Sequence, residues 1–247
     1  MTQFDNTPLT PPSSGAPGPA GWLPVWIKAI SKPNEQTYVE ITEHPDANSK
    51  TAYIWVFIAG LVSGIFQAFA STIRLAMGVT TQFPIPGLEQ YIPQSTGMDG
   101  GSIGITLITG LCASPLAGVL SVIFFALGVA IVQWIAKLFG GTGTYDKLLY
   151  ANAAITVPFT LISSLLAVFS SIPVLGICTG ILSFGLGIYV LVLQVMAVKG
   201  VNRFGWGQAV GSVMIPVVVV FLFCCCVFAG LAMVTGASLN QFNNFAP

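Results

Sequence analysis

Four carboxamide side chains stand inside long apolar runs of this chain: Gln67, Gln133, Asn152 and Gln194. An amide in hydrocarbon is costly unless paired, so it either bonds to a neighbouring helix or lines a path for a polar solute. Helix linkage is the expected role, and a route for a small neutral or weakly hydrated solute is the alternative. Ionisable groups are almost absent from these runs. None holds Asp, Glu, His or Lys near its middle, and the single histidine, His44, lies in a polar stretch. A proton-coupled carrier of ordinary design needs such a group. No nucleophile, base and oxyanion donor can be assembled from the sequence, so no enzyme and no cofactor are expected.

The remaining chemical candidates are weaker. Cys112 and Cys178 fall toward one face and allow a disulfide, whereas Cys224, Cys225 and Cys226 are consecutive. Successive helical residues point about 100° apart, so the three thiols cannot converge on one metal. No metal spacing such as C-x-x-C occurs. Glu35, Glu40, Glu43 and Asp46 make a small acidic patch, expected to keep its flank solvated rather than to bind a cation. The loop from Gly140 to Lys147, GGTGTYDK, superficially resembles a nucleotide loop but lacks the G-K-[ST] ending and a preceding strand. It is expected to be a turn, with Gly140, Gly141 and Gly143 supplying special backbone geometry and Tyr145 and Lys147 at a membrane interface.

These residues need long apolar elements to position them, and composition supplies that class. Of 247 residues, 54% are hydrophobic and 6% charged, with a mean hydropathy of +0.84. Soluble domains carry roughly 25% charged residues. The pattern predicts an all-α, polytopic membrane protein with five transmembrane helices near Ala52–Met77, Leu116–Phe139, Leu148–Phe169, Val174–Val198 and Gln208–Val234. Each exceeds the roughly 20 residues a bilayer requires. Pro115 is expected in the first turn of the second span, while Pro158 and Pro216 are expected to kink the third and fifth. Spans three and four are expected to form a tight hairpin around Ile172-Pro173. Three G-x-x-x-G pairs, Gly60/Gly64, Gly176/Gly180 and Gly207/Gly211, predict close helix contact and allow a homo-oligomer.

Orientation follows from charge. Seven of the eight Lys and Arg fall at one end of these spans, leaving Arg74 toward the other. The excess of basic residues on the cytoplasmic side puts the N-terminus in and the C-terminus out. All five tryptophans, Trp22, Trp26, Trp55, Trp134 and Trp206, fall near the same face. The formal net charge is zero, and no basic cluster suits nucleic acid.

Outside the spans, residues 1–21 read as a disordered Pro/Gly-rich cytoplasmic tail without the apolar core of a signal peptide. Residues 22–51 read as an interfacial helix and acidic lead-in. Trp22, Val25, Trp26, Ala29 and Ile30 share one face, expected to lie on the inner membrane surface with Lys28 and Lys32 near anionic lipid. The five-span domain takes residues 52–235, with an external loop at 78–115 whose apolar tract Ile103 to Leu111 can reach the interface. A short extracytoplasmic tail takes residues 236–247.

With these segments in place the chain resembles the Yip1 domain family over about residues 22 to 235. The resemblance is carried by Lys32-Pro33 after the tryptophan-rich lead-in and by Ala136-Lys137-Leu138-Phe139-Gly140-Gly141-Thr142-Gly143-Thr144-Tyr145. It is also carried by Ile172-Pro173 with Leu175-Gly176, and by Gly205 to Ala209 before the last span. It implies a cytoplasmic N-terminus, five spans and a membrane organiser with no catalytic residues. Eukaryotic relatives act with Rab-type GTPases and carry a D-L-Y-G-P motif that this sequence lacks. The resemblance therefore implies a bacterial-type member in the plasma membrane of a prokaryote. Membrane lipid, a membrane-protein partner or a second copy are the expected contacts.

Overall fold

The computed structural model describes residues 19–45, 47–78 and 100–245. These form seven helices: α1 (Pro19–Ser31), α2 (Glu35–Glu43), α3 (Ser49–Ala76), α4 (Gly100–Leu138), α5 (Tyr145–Ser170), α6 (Pro173–Asn202) and α7 (Trp206–Phe245). The last five are each long and apolar enough to cross a bilayer. The chain is thus an all-α membrane protein whose two short helices stand before the first span.

Local chemistry sets the boundaries. Asn34 caps α2 by accepting a hydrogen bond from the Gln36 amide at 3.3 Å, and Asn48 caps α3 from the Thr51 amide at 2.8 Å. His44 is extended, as a residue before proline prefers, and α2 stops there. Helix α4 ends on Gly140 with φ +87°. The Gly140 amide bonds to the Lys137 carbonyl at 3.0 Å and the Gly141 amide to the Ala136 carbonyl at 2.9 Å, the paired closure of a Schellman turn. Pro173 starts α6 after only Ser171 and Ile172, which makes the expected hairpin.

Three boundaries differ from the sequence reading. Helix α4 does not begin at Pro115: residues 100–115, including the tract Ile103 to Leu111, are its first turns. Proline removes the bond to the Leu111 carbonyl, and the neighbouring Ser114 hydroxyl donates to that carbonyl instead at 2.8 Å, so the helix continues. The loop expected at 78–115 is correspondingly shorter, and its residues 79–99 lie outside the described set. Helix α7 continues to Phe245, so most of the proposed tail is helical. Residues 19–21 of the proposed disordered tail open α1, and residues 1–18 lie outside the described set.

Helix α5 is the hub, with Leu148 to Ile155 buried on every face among α1, α2, α3, α4 and α6. Helices α3 and α4 meet along small residues. A methyl group on Gly60 would overlap Ser121, and one on Gly64 would press on Ser114 at 3.0 Å. The other two glycine pairs differ: Gly180 and Gly207 face open space. Past Pro216, α7 leaves the bundle, and every residue from Val217 to Gly230 is exposed.

Candidate functional site

The turns at one end of the bundle are locked together around a buried amide pair. Gln133 of α4 donates through Nε2 to the Gly143 carbonyl at 2.7 Å and to Asn202 Oδ1 at 3.1 Å. Asn202 answers with Nδ2 to Gln133 Oε1 at 3.3 Å and to the Val198 carbonyl at 3.1 Å. Both side chains are buried, Asn202 completely. Each satisfies the other where no water can. The glycine loop fits because it has no side chains at the contact. A Cβ on Gly141 or Gly143 would stand 2.7 Å from Asn202 Oδ1, closer than a side-chain carbon can pack. Thr142 completes the seam, its amide donating to the Asn202 carbonyl at 3.2 Å. The loop is therefore a turn that docks on the end of α6 through its backbone.

The turn between α6 and α7 joins the same assembly. Gln208 reaches back to accept the Gly205 amide at 2.9 Å, which caps α7, and donates to the Phe139 carbonyl at 3.0 Å. Arg203 takes the left-handed conformation, φ 54°, at the end of α6. Its guanidinium is held by Glu43 at 2.9 Å. Lys199 lies 4.5 Å from the centre of the Trp206 ring.

Helices α1 and α2 close over this end by charge and aromatic contact. Glu40 pairs with Lys28 at 2.6 Å, Glu43 faces Lys147 at 3.9 Å as well as Arg203, and Glu35 pairs with Lys199. The hydrogen bond and charge of Lys28 hold the Glu40 carboxyl below its ordinary range. Glu35, Glu40 and Glu43 thus neutralise bases on α1, α5 and the end of α6 rather than facing solvent alone, and Asp46 of the same patch lies outside the described residues. Tyr38 is fully buried and donates to the Ala29 carbonyl at 2.9 Å, which fixes α2 against α1. Burial, then Tyr189, pushes its phenol well above the usual range.

Trp22 and Trp26 do not have lipid as their main partner. They pack against each other and on Trp55, with ring centroids 5.9 and 5.6 Å from it, and Trp55 lies 5.0 Å from Tyr150. The four aromatic rings, from three helices, form one cluster. The opposite face of α1 presents Leu23 and Ile27, both more than half exposed. Lys28 is committed to Glu40, while Lys32 stays exposed. Tyr145, at the start of α5, meets the Tyr53 hydroxyl at 3.2 Å and donates to the Ala126 carbonyl at 3.3 Å.

The other predicted amides stand apart from this lock. Asn152 donates to the Leu148 carbonyl of its own helix at 3.0 Å. With Gln194 it lines a largely apolar groove of about 620 Å³ between α4, α5, α6 and α7. Gln67 and Gln194 line a second groove of about 440 Å³ between α3, α5 and α6. The structure thus separates Gln133 from the other three. Asn202 and Gln208 were missed from sequence; their signal was position, each at a helix end beside the glycine loop. All five cysteines are free thiols, so no bond joins Cys112 to Cys178. Among the described residues no cluster of His, Cys, Asp or Glu is arranged to hold a metal.

No curated protein and no solved structure matches the chain. A family model does: the Yip1 domain, over residues 27–228. That stretch takes in the end of α1, all of α2, the glycine loop, the Ile172-Pro173 hairpin and the locked turns, so this membrane protein belongs to the Yip1 domain family.

Proposed function

We propose that the chain is a non-enzymatic membrane scaffold or organiser of bacterial type, in the plasma membrane of a prokaryote. Its N-terminus is cytoplasmic and its C-terminus is outside. It acts through protein or lipid contacts at the cytoplasmic cap built from α1, α2 and the locked turns. The observation that carries this reading is the gathering of the polar chemistry at one end. The amide pair, the glycine loop and four ion pairs hold a fixed surface there, next to spans with no acid or base at mid-depth. Rigid presentation of a surface is what a scaffold requires, because a preformed face loses less entropy on binding. The basic residues at that end support the N-in orientation.

The competing reading is a path for a neutral solute. Gln133 leaves that set, since both ends of its amide are engaged. Two experiments separate the readings. Cross-linking capture from native membranes, against a matched control membrane protein, should return defined partners that Glu43→Lys loses, because a lysine there faces Lys147 and Arg203. Reconstituted vesicles should show no saturable flux across a panel of solutes. Robust flux abolished by Asn152→Ala would sink the scaffold reading.

A further inference from the structure

Halfway along the bundle the polar side chains are no longer paired with one another. The hydroxyl of Thr156 is buried and has no hydrogen-bond partner. The amides of Gln67 and Gln194 make no hydrogen bond to another described residue. These groups, with Ser63 and Thr160, line the groove of about 440 Å³ between α3, α5 and α6. Ser63, Gln67 and Thr160 also line the adjoining groove between α3 and α4. The depth is within the hydrocarbon. At about 1.5 Å per residue, Gln67 stands roughly 14 Å from the outer end of α3, and Thr156 roughly 17 Å from the inner end of α5.

Three features define what fits. No acid or base lines the groove, so a charged ligand would arrive without compensation. Amides and hydroxyls both donate and accept, which suits a group that does the same. The groove opens sideways: Gln67 and Ser163 on its wall are exposed, as are the apolar neighbours Ile162, Leu165 and Phe184. Entry is therefore from the bilayer rather than from water. Leu186, Val190 and Leu191 in the same lining offer an apolar surface to a tail.

We propose that the α3–α5–α6 groove binds a membrane lipid with an uncharged, hydroxyl-bearing headgroup, held by Gln67, Thr156 and Gln194. This site is separate from the cytoplasmic cap and stands whether or not the scaffold reading does.

The test uses the full chain in nanodiscs doped with a diazirine-tailed lipid: monogalactosyl diacylglycerol, diacylglycerol or phosphatidylglycerol. Adducts are mapped by mass spectrometry. The neutral hydroxyl lipids should label α3, α5 and α6 peptides beside the groove at least fivefold more than phosphatidylglycerol. Thr156→Val and Gln194→Leu should each cut that labelling severalfold. Thr156→Val keeps the side-chain shape and removes a hydroxyl that has no protein partner, so its thermal midpoint should not fall. Equal labelling by the anionic lipid, or labelling unchanged in both variants, would overturn the proposal. So would a photoreactive residue at Ser163 that yields only a protein dimer, since a second copy would then fill the groove.

Discussion

Gln133 and Gln194 are the same residue type on neighbouring apolar helices, and the fold treats them in opposite ways. Gln133 meets Asn202 across α4 and α6 and also holds the glycine loop by the Gly143 carbonyl. Gln194 sits on the wall of two grooves. The difference follows from what surrounds each. The turns at the end that carries the glycine loop bring carbonyls and a second amide within reach. Away from that end, α7 departs past Pro216, and the grooves beside Gln194 are walled by hydroxyl and apolar side chains. An intramembrane amide is therefore a helix link where backbone turns converge and an unfilled contact where helices separate.

Substitutions can break this contrast, and the largest effect belongs to the aromatic cluster under α1. Trp55 is 1% exposed and touches Trp22, Trp26 and Tyr150. Trp55→Ala should destabilise the cap by about 3–5 kcal/mol, the usual cost of emptying such a site, read by denaturant titration in mixed micelles. Asn202→Leu comes next. It leaves the Gln133 amide buried and half-satisfied, at about 1–3 kcal/mol, and should also speed proteolysis at Gly140–Gly143 in inside-out vesicles.

The ion pairs are smaller. Glu43→Ala should cost less than about 1 kcal/mol because its partners are partly exposed, with the loss shrinking in high salt. Acid should loosen the neighbouring pair of Glu40 with Lys28. Its folded-state pKa is lowered, so the pairing with Lys28 is present above the ordinary glutamate range and is lost as pH falls through the lowered value. Tryptophan fluorescence of the Trp22–Trp26–Trp55 cluster reports that loosening. Smallest of all, Val219→Ala on the departed part of α7 should change stability by less than about 0.5 kcal/mol.

Much of this was legible in the sequence because lipid imposes length and apolarity on each span. Runs without charge gave five helices, and Ile172-Pro173 gave the hairpin. Pro115 misled because proline normally stops or starts a helix, and the Ser114 hydroxyl that rescues the freed carbonyl is a tertiary fact. The tryptophan stripe of α1 identified an amphipathic face, but periodicity is silent on whether that face meets lipid or protein. Trp55 and Tyr150, 29 and 124 residues beyond Trp26, decide it. The amide partners were out of reach for the same reason: Gln133 and Asn202 are 69 residues apart, and only the closing of the turns joins them.

Matched double-mutant cycles compare the locked end with the middle of the bundle directly. Gln133→Leu with Asn202→Leu, and Thr156→Val with Gln194→Leu, would be measured by denaturant titration in the same mixed micelles. The pair at the locked end should couple by about 1–2 kcal/mol and the mid-bundle pair by less than about 0.5 kcal/mol. Additive effects at Gln133 and Asn202, or strong coupling between Thr156 and Gln194, would contradict the division into a locked end and an unpaired middle of the bundle.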